Sequence, residues 1–228
     1  MKLSNKILLA FFGFIFIYLT AAFAELRLTG IPNIITNNNS IVETVDLSNV
    51  AHIILNNINK NVKVVGADHS RLEVRSLSGS VLNNLTYVVV GDTLVMSAFT
   101  PEGNQPSMIT VFASNEKLKE IVVNSSMVSA DHLQPASLRI SQNDGRVWID
   151  NSRFARLQMD LSNDSFVYVE DTEMDTLSVN LGRSQAHISS PVLLLQGKMA
   201  NDAFMRINGN IEDIRLTKDE SSKLQIYQ

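Results

Sequence analysis

Over residues 118–228 short apolar stretches return at a nearly constant interval. Ile149, Val169, Ile188, Ile207 and Ile226 are separated by 20, 19, 19 and 19 residues, and Val147, Val167, Ala186, Met205 and Leu224 stand two positions before them. A spacing of two puts both members of each pair on one face of a strand. A second column, Leu138, Leu157, Leu177, Leu195 and Ile214, runs 11 or 12 residues ahead of the first. A third, Leu133, Phe154, Met174, Val192 and Ile211, falls in the turns after it. Three apolar columns per repeat outline a closed cross-section.

A fixed period near 19 residues with no helical pattern inside it predicts a β-solenoid, in which each coil buries its apolar residues against the coils above and below. Successive coils would lie about 4.8 Å apart, and parallel crossovers are right-handed in about 98% of cases. The expected fold is therefore all-β: a right-handed parallel β-solenoid. An antiparallel sandwich also spaces strands by about 8–12 residues, but it does not place three columns in register. The least regular coil is at residues 192–197, where Leu193 or Leu195 fits the column equally.

The first half is less regular. Strands are expected at residues 53–55, 62–65, 72–74, 85–90, 94–96 and 108–112, separated by turn-formers such as Asn56-Asn57, Gly66-Ala67-Asp68 and Gly91-Asp92. Residues 87–96 read as a hairpin turning at Gly91-Asp92, so antiparallel pairs are expected to close the first end of the solenoid.

Ahead of this domain, Lys2 and Lys6 precede an apolar and aromatic run over residues 7–18, and Ala22-Phe23-Ala24 supplies the small residues that a signal peptidase reads. Residues 1–24 are thus a signal peptide or, if uncleaved, an N-terminal membrane anchor. Either leaves the rest of the chain outside the cytoplasm, in the periplasm, at the cell envelope or secreted. Residues 25–44, with Gly30, Pro32 and a polar run at 36–40, resemble a linker, which leaves 45–228 as a single domain.

Composition then narrows the function classes. With 19 basic and 23 acidic residues the net charge is −4, so no basic field attracts nucleic acid. The absence of cysteine excludes disulfides, thiolate metal sites, a cysteine nucleophile and a lipid-bearing cysteine. The four histidines, His52, His69, His132 and His187, form no spaced pair, so no zinc site is expected. No Gly-x-Ser-x-Gly elbow or phosphate-binding glycine loop is present, and no cofactor is expected.

Leu72-Glu73-Val74, the run from Leu85 to Met96 (LTYVVVGDTLVM), Ile109-Thr110-Val111, the run from Leu118 to Ser126 (LKEIVVNSS) and the coils that follow resemble the head GIN domain family of auto-transporter adhesins. The resemblance covers roughly residues 45–228. It implies a secreted or envelope-attached bacterial β-solenoid, with adhesion suggested by the family name. Self-export is not expected, since no alternating barrel-forming region follows residue 228.

Two constellations carry candidate chemistry. Asp131, Asp150 and Glu170 follow the second-strand column in three consecutive coils. Stacked carboxylates at coil spacing suit a bridging calcium ion, the acids of a polysaccharide lyase, or simply the ends of strands where turns begin. No Lys or His column is expected to face them. At the other bend Asn143-Asp144, Asn163-Asp164 and Asn201-Asp202 recur, as tight turns require.

The second constellation is on the outer face of the second strand. With Val147 and Ile149 inside, alternation sends out Arg146 and Trp148, and likewise Phe166 and Tyr168, Gln185 and His187, and Phe204 and Arg206. Aromatic and cationic side chains on adjacent coils mark either a contact surface for a surface glycan or envelope protein or a second small core covered by the chain's own segments. The expected function is an extracytoplasmic, non-catalytic binding or adhesion module of the bacterial envelope. The alternatives are a lyase-like enzyme using Asp131, Asp150 and Glu170, and a structural envelope protein that self-associates through its last coil, where Leu224 and Ile226 sit at an open sheet edge.

Overall fold

The computed structural model describes residues 11–21, 40–47, 49–100 and 106–227. They fall into two compact units, Met1–Ile34 and Ile35–Gln228. In the first, residues 11–21 are helical, and no described helix is long and apolar enough to cross a membrane. The other positions of the expected leader, 1–10 and 22–24, and linker residues 25–39 lie outside the described residues.

The second unit is built from strands. In chain order these begin with β1 (Ile41–Asp46), β2 (His52–Asn56), β3 (Asn61–Ala67), β4 (Arg71–Ser76), β5 (Leu85–Val90), β6 (Thr93–Phe99) and β7 (Ser107–Ser114). The repeating part follows with β8 (Glu120–Asp131), β9 (Ser137–Asp150), β10 (Arg153–Ser162), β11 (Phe166–Glu170), β12 (Glu173–Gly182) and β13 (Gln185–Ser189). It ends with β14 (Val192–Ala200), β15 (Phe204–Asn208), β16 (Ile211–Lys218) and β17 (Lys223–Tyr227). The result is a β-solenoid of about 6 turns of roughly 19 residues, with parallel and antiparallel pairs in one sheet. The first strand starts at Ile41, inside the stretch expected as linker.

Two walls run the length of the stack. The first carries β10, β12, β14 and β16 on the leading half of β9, and the second carries β11, β13, β15 and β17 on its trailing half. The apolar columns pair in the expected register: Ile149 with Val169, Val169 with Ile188, Ile188 with Ile207 and Ile207 with Ile226. On the first wall Leu138, Leu157, Leu177, Leu195 and Ile214 stack likewise. Leu195 holds the column in the irregular coil, while Leu193 is 46% exposed. Alternation is interrupted here, since Val192 and Leu195, three apart, both face inward and Leu193 has no partner in the register; along the rest of each strand residues two apart share the inner face, so coils in register bury a continuous core.

Corners are made where Asp144, Asn163, Asp164, Asn201 and Asp202 adopt left-handed backbone, with φ between 51° and 62°. Asn and Asp accept that conformation at low cost because their short side chains bond locally. Serines inside other corners satisfy backbone donors that the bend frees: the Leu133 N–H donates to Ser152 Oγ at 3.0 Å and the Thr172 N–H to Ser190 Oγ at 3.1 Å.

The first half is stacked out of sequence order. β2 lies between β6 and β8 on the first wall, and β3 lies between β7 and β8 on the second. The coil formed by β2 and β3 is thus inserted between a coil that follows it in the chain and the repeating part. Antiparallel strands finish this end, β5 on β6, β4 on β7 and β1 on β4. The hairpin turns at Gly91-Asp92, as its sequence predicts.

Candidate binding surface

The second wall presents its outer side chains in rows that follow the strand register. One row runs Ser129, Trp148, Tyr168, His187, Arg206, Gln225. The neighbouring row runs Met127, Arg146, Phe166, Gln185, Phe204, Lys223. From Trp148 to Arg206 the first row points outward because its chain neighbours, such as Val167 and Val169 around Tyr168, are buried.

The rings cluster rather than stand apart. The His187 ring lies 5.1 Å from Phe166, 5.7 Å from Phe204 and 6.3 Å from Tyr168, in edge-to-face arrangements that suit ring quadrupoles. The Arg206 guanidinium sits 5.7 Å from the Phe204 ring centre and 5.8 Å from that of Tyr227. Its Nη2 donates to Gln225 at 3.4 Å, whereas its Nε is buried without a partner. Burial, and then the positive charge of Arg206, hold the His187 pKa below the usual histidine value. Trp148, Phe166, Tyr168, His187, Phe204 and Arg206 are all half-buried.

Beside this ridge, at the corner between the walls, is an open groove of about 610 Å³. Trp148 and Phe166 form part of its lining, with Arg146, Gln185 and two serines, Ser165 and Ser184. Asp164, Arg183 and Asp202 complete it from three successive corners. An Arg183 nitrogen lies 3.5 Å from Asp164 Oδ1, and its Nη2 donates to Asn163 Oδ1 at 3.3 Å. Among the described residues Arg146 forms no ion pair. Alternation finds Arg146 and Gln185; Asp164 and Asp202 read in the sequence only as turn residues, Arg183 carries no signal there, and the meeting of the three follows from stacking the corners.

The acidic ladder is placed otherwise than its sequence suggests. Asp131 and Asp150 do face each other in register. Yet Asp131 is held by Lys63 Nζ at 2.9 Å and lies 2.6 Å from His132 Nδ1, so a lysine and a histidine do face the ladder at this coil. Lys63 escapes sequence reasoning because β3 reaches β8 only through the out-of-order stacking. Burial opposes ionisation of Asp131, but hydrogen bonds from Lys63 and His132 outweigh it and bring the pKa below the ordinary value. Asp150 Oδ1 accepts the Asn151 N–H at 2.9 Å, as a strand-ending turn requires. Among the described residues no three acidic or histidine side chains converge as a metal site.

No protein-family model and no curated protein matches the chain. The fold itself is seen in solved structures. A structure from Bacteroides fragilis, described as a "putative adhesin", is similar with a TM-score of 0.53 and 13% identity, over 82% of this chain and 96% of its own. One from Parabacteroides distasonis, described as a "putative lipid binding protein", gives 0.49 and 15% over 84% and 98%. The first likeness is one of fold.

Proposed function

We propose that this protein is a non-catalytic binding module of adhesion type, working outside the cytoplasm at a bacterial cell envelope, and that the outer face of its second wall is the contact surface for a surface glycan or an envelope protein. The observation that carries the reading is the ring cluster: Trp148, Tyr168, Phe166, His187 and Phe204 sit side by side on successive coils, outside the core. A solenoid buries its apolar residues inward, so aromatic rings repeated on an outward row are not needed for the coil itself. Rings with an adjacent guanidinium are what tight contact sites use most. Burying them contributes about 25 cal/mol per Å² of apolar area before association costs are subtracted.

The fold is shared with a protein described as a "putative adhesin". Export is supported by Lys2, Lys6 and the apolar run over residues 7–18. The test is adhesion of the purified protein to immobilised bacterial envelope material. Trp148→Ala/Tyr168→Ala should lose binding while its circular dichroism stays that of wild type. Undiminished adhesion by the double variant would refute the assignment of this face.

A further inference from the structure

We infer that the groove beside the aromatic ridge takes an uncharged pyranose ring of a glycan, a deepening of the reading of this wall as a contact surface, on which it rests. Its volume of about 610 Å³ is that of a small-ligand site. Trp148 and Phe166 bring aromatic rings to its lining from adjacent coils, and such rings suit the apolar face of a sugar.

The charges around it decide the ligand class. Two cations, Arg146 and Arg183, are balanced by two carboxylates, Asp164 and Asp202. A ligand of either net charge would be attracted to one pair and repelled by the other. Sugar hydroxyls suit both, since they donate to carboxylates and accept from guanidinium groups. The Arg183 contact with Asp164 is loose at 3.5 Å, which leaves donors to spare.

Arg183 is also out of place as a turn residue. Its φ is 43°, in the left-handed region, where the corners of the flanking coils use Asn163-Asp164 and Asn201-Asp202. Asn and Asp suit that backbone and arginine does not. Turn chemistry thus gives no reason for a long, multiply donating side chain here; it reaches the preceding corner at Asn163 and Asp164, and its remaining donors suit a hydroxyl-rich ligand in the groove.

The full chain is titrated with cellohexaose, xylohexaose, mannohexaose, maltohexaose and hexagalacturonic acid, following emission from Trp148, the single tryptophan. At least one neutral hexasaccharide should give a saturable change that is the same at about 0.05 and about 0.5 M NaCl. Its Kd should rise about tenfold or more in Arg183→Met, with circular dichroism as the folding control, and hexagalacturonic acid should bind at least about tenfold more weakly. Binding of the acid alone, loss of affinity with salt, an unchanged Kd in Arg183→Met, or no response to any of the four neutral sugars overturns the inference. These outcomes are separable from failure of the contact face. If no sugar binds but Trp148→Ala/Tyr168→Ala still abolishes adhesion, the groove inference alone falls; if adhesion survives the double variant, the contact-face reading falls.

Discussion

Replacing Gly197 by alanine should destabilise the solenoid by about 4 kcal/mol, whereas the same change at Gly91 should cost about 1 kcal/mol. Gly197 stands on the first wall between Val179 and Leu216, a row that carries Ile121, Ile140 and Met159 in earlier coils. Here the coil spacing shortens, Met174 pairing with Val192, 18 residues on. The backbone of Val179 closes into the space a side chain would take. An added Cβ would fall on the Val179 carbonyl oxygen and come within 2.8 Å of its carbon and 2.9 Å of its nitrogen. These are backbone atoms in a paired strand, so relief requires the coils to separate locally, at about 1–3 kcal/mol. The φ of +129° adds about 1–3 kcal/mol for a residue with a Cβ. Gly91 has φ +61° but nothing within 4 Å of the added atom, so only the conformational cost applies. For a domain of this size about 1 kcal/mol moves Tm by about 2–4 °C. Calorimetry should therefore show a fall of about 8–16 °C for Gly197→Ala and about 2–4 °C for Gly91→Ala. Equal shifts would refute the close approach of the two coils.

Ile188→Asp should unfold the domain, because it places an unpaired charge between Val169 and Ile207 and costs more than about 5 kcal/mol; a cooperative melt near that of wild type would contradict the column. Millimolar calcium should leave Tm unchanged, since Asp131 is committed to Lys63 and Asp150 to its own turn; a rise that Asp150→Ala abolishes would show a bound ion. The His187 pKa is depressed in the fold by burial and then by Arg206, so its contribution to stability is complete above about pH 6.5 and is lost as pH falls through the folded pKa. Melts across that window should be steeper in pH for wild type than for His187→Gln, and parallel curves would remove His187 as the cause.

The repeating half is legible in the sequence because each coil stacks on the one before it, so contacts in space appear as a period of about 19 in the chain. Leu138, Leu157 and Leu177 align by spacing alone, and they stack in that register. The first half breaks that relation. His52 pairs with Thr93 and with Glu120, 41 and 68 residues away, because the β2–β3 coil is inserted between later strands. No local pattern records such an insertion. The strands themselves and the hairpin at Gly91-Asp92 remain readable, since alternation and turn chemistry are local. The same division holds at the surface. Alternation is enough to find Trp148, Tyr168 and His187, but the groove needs three corners stacked on one another, and Arg183 hides among turn residues. Lys63 is out of reach for the same reason as β3.

The most direct test of the account is the environment of Trp148, whose emission reports on the second wall alone. If the ridge is a contact surface, emission is red-shifted and iodide quenches it in the free protein, with quenching suppressed when envelope material is bound. Blue-shifted emission that iodide does not quench in the free protein would mean that the chain covers its own aromatic face, and the proposed function would fail.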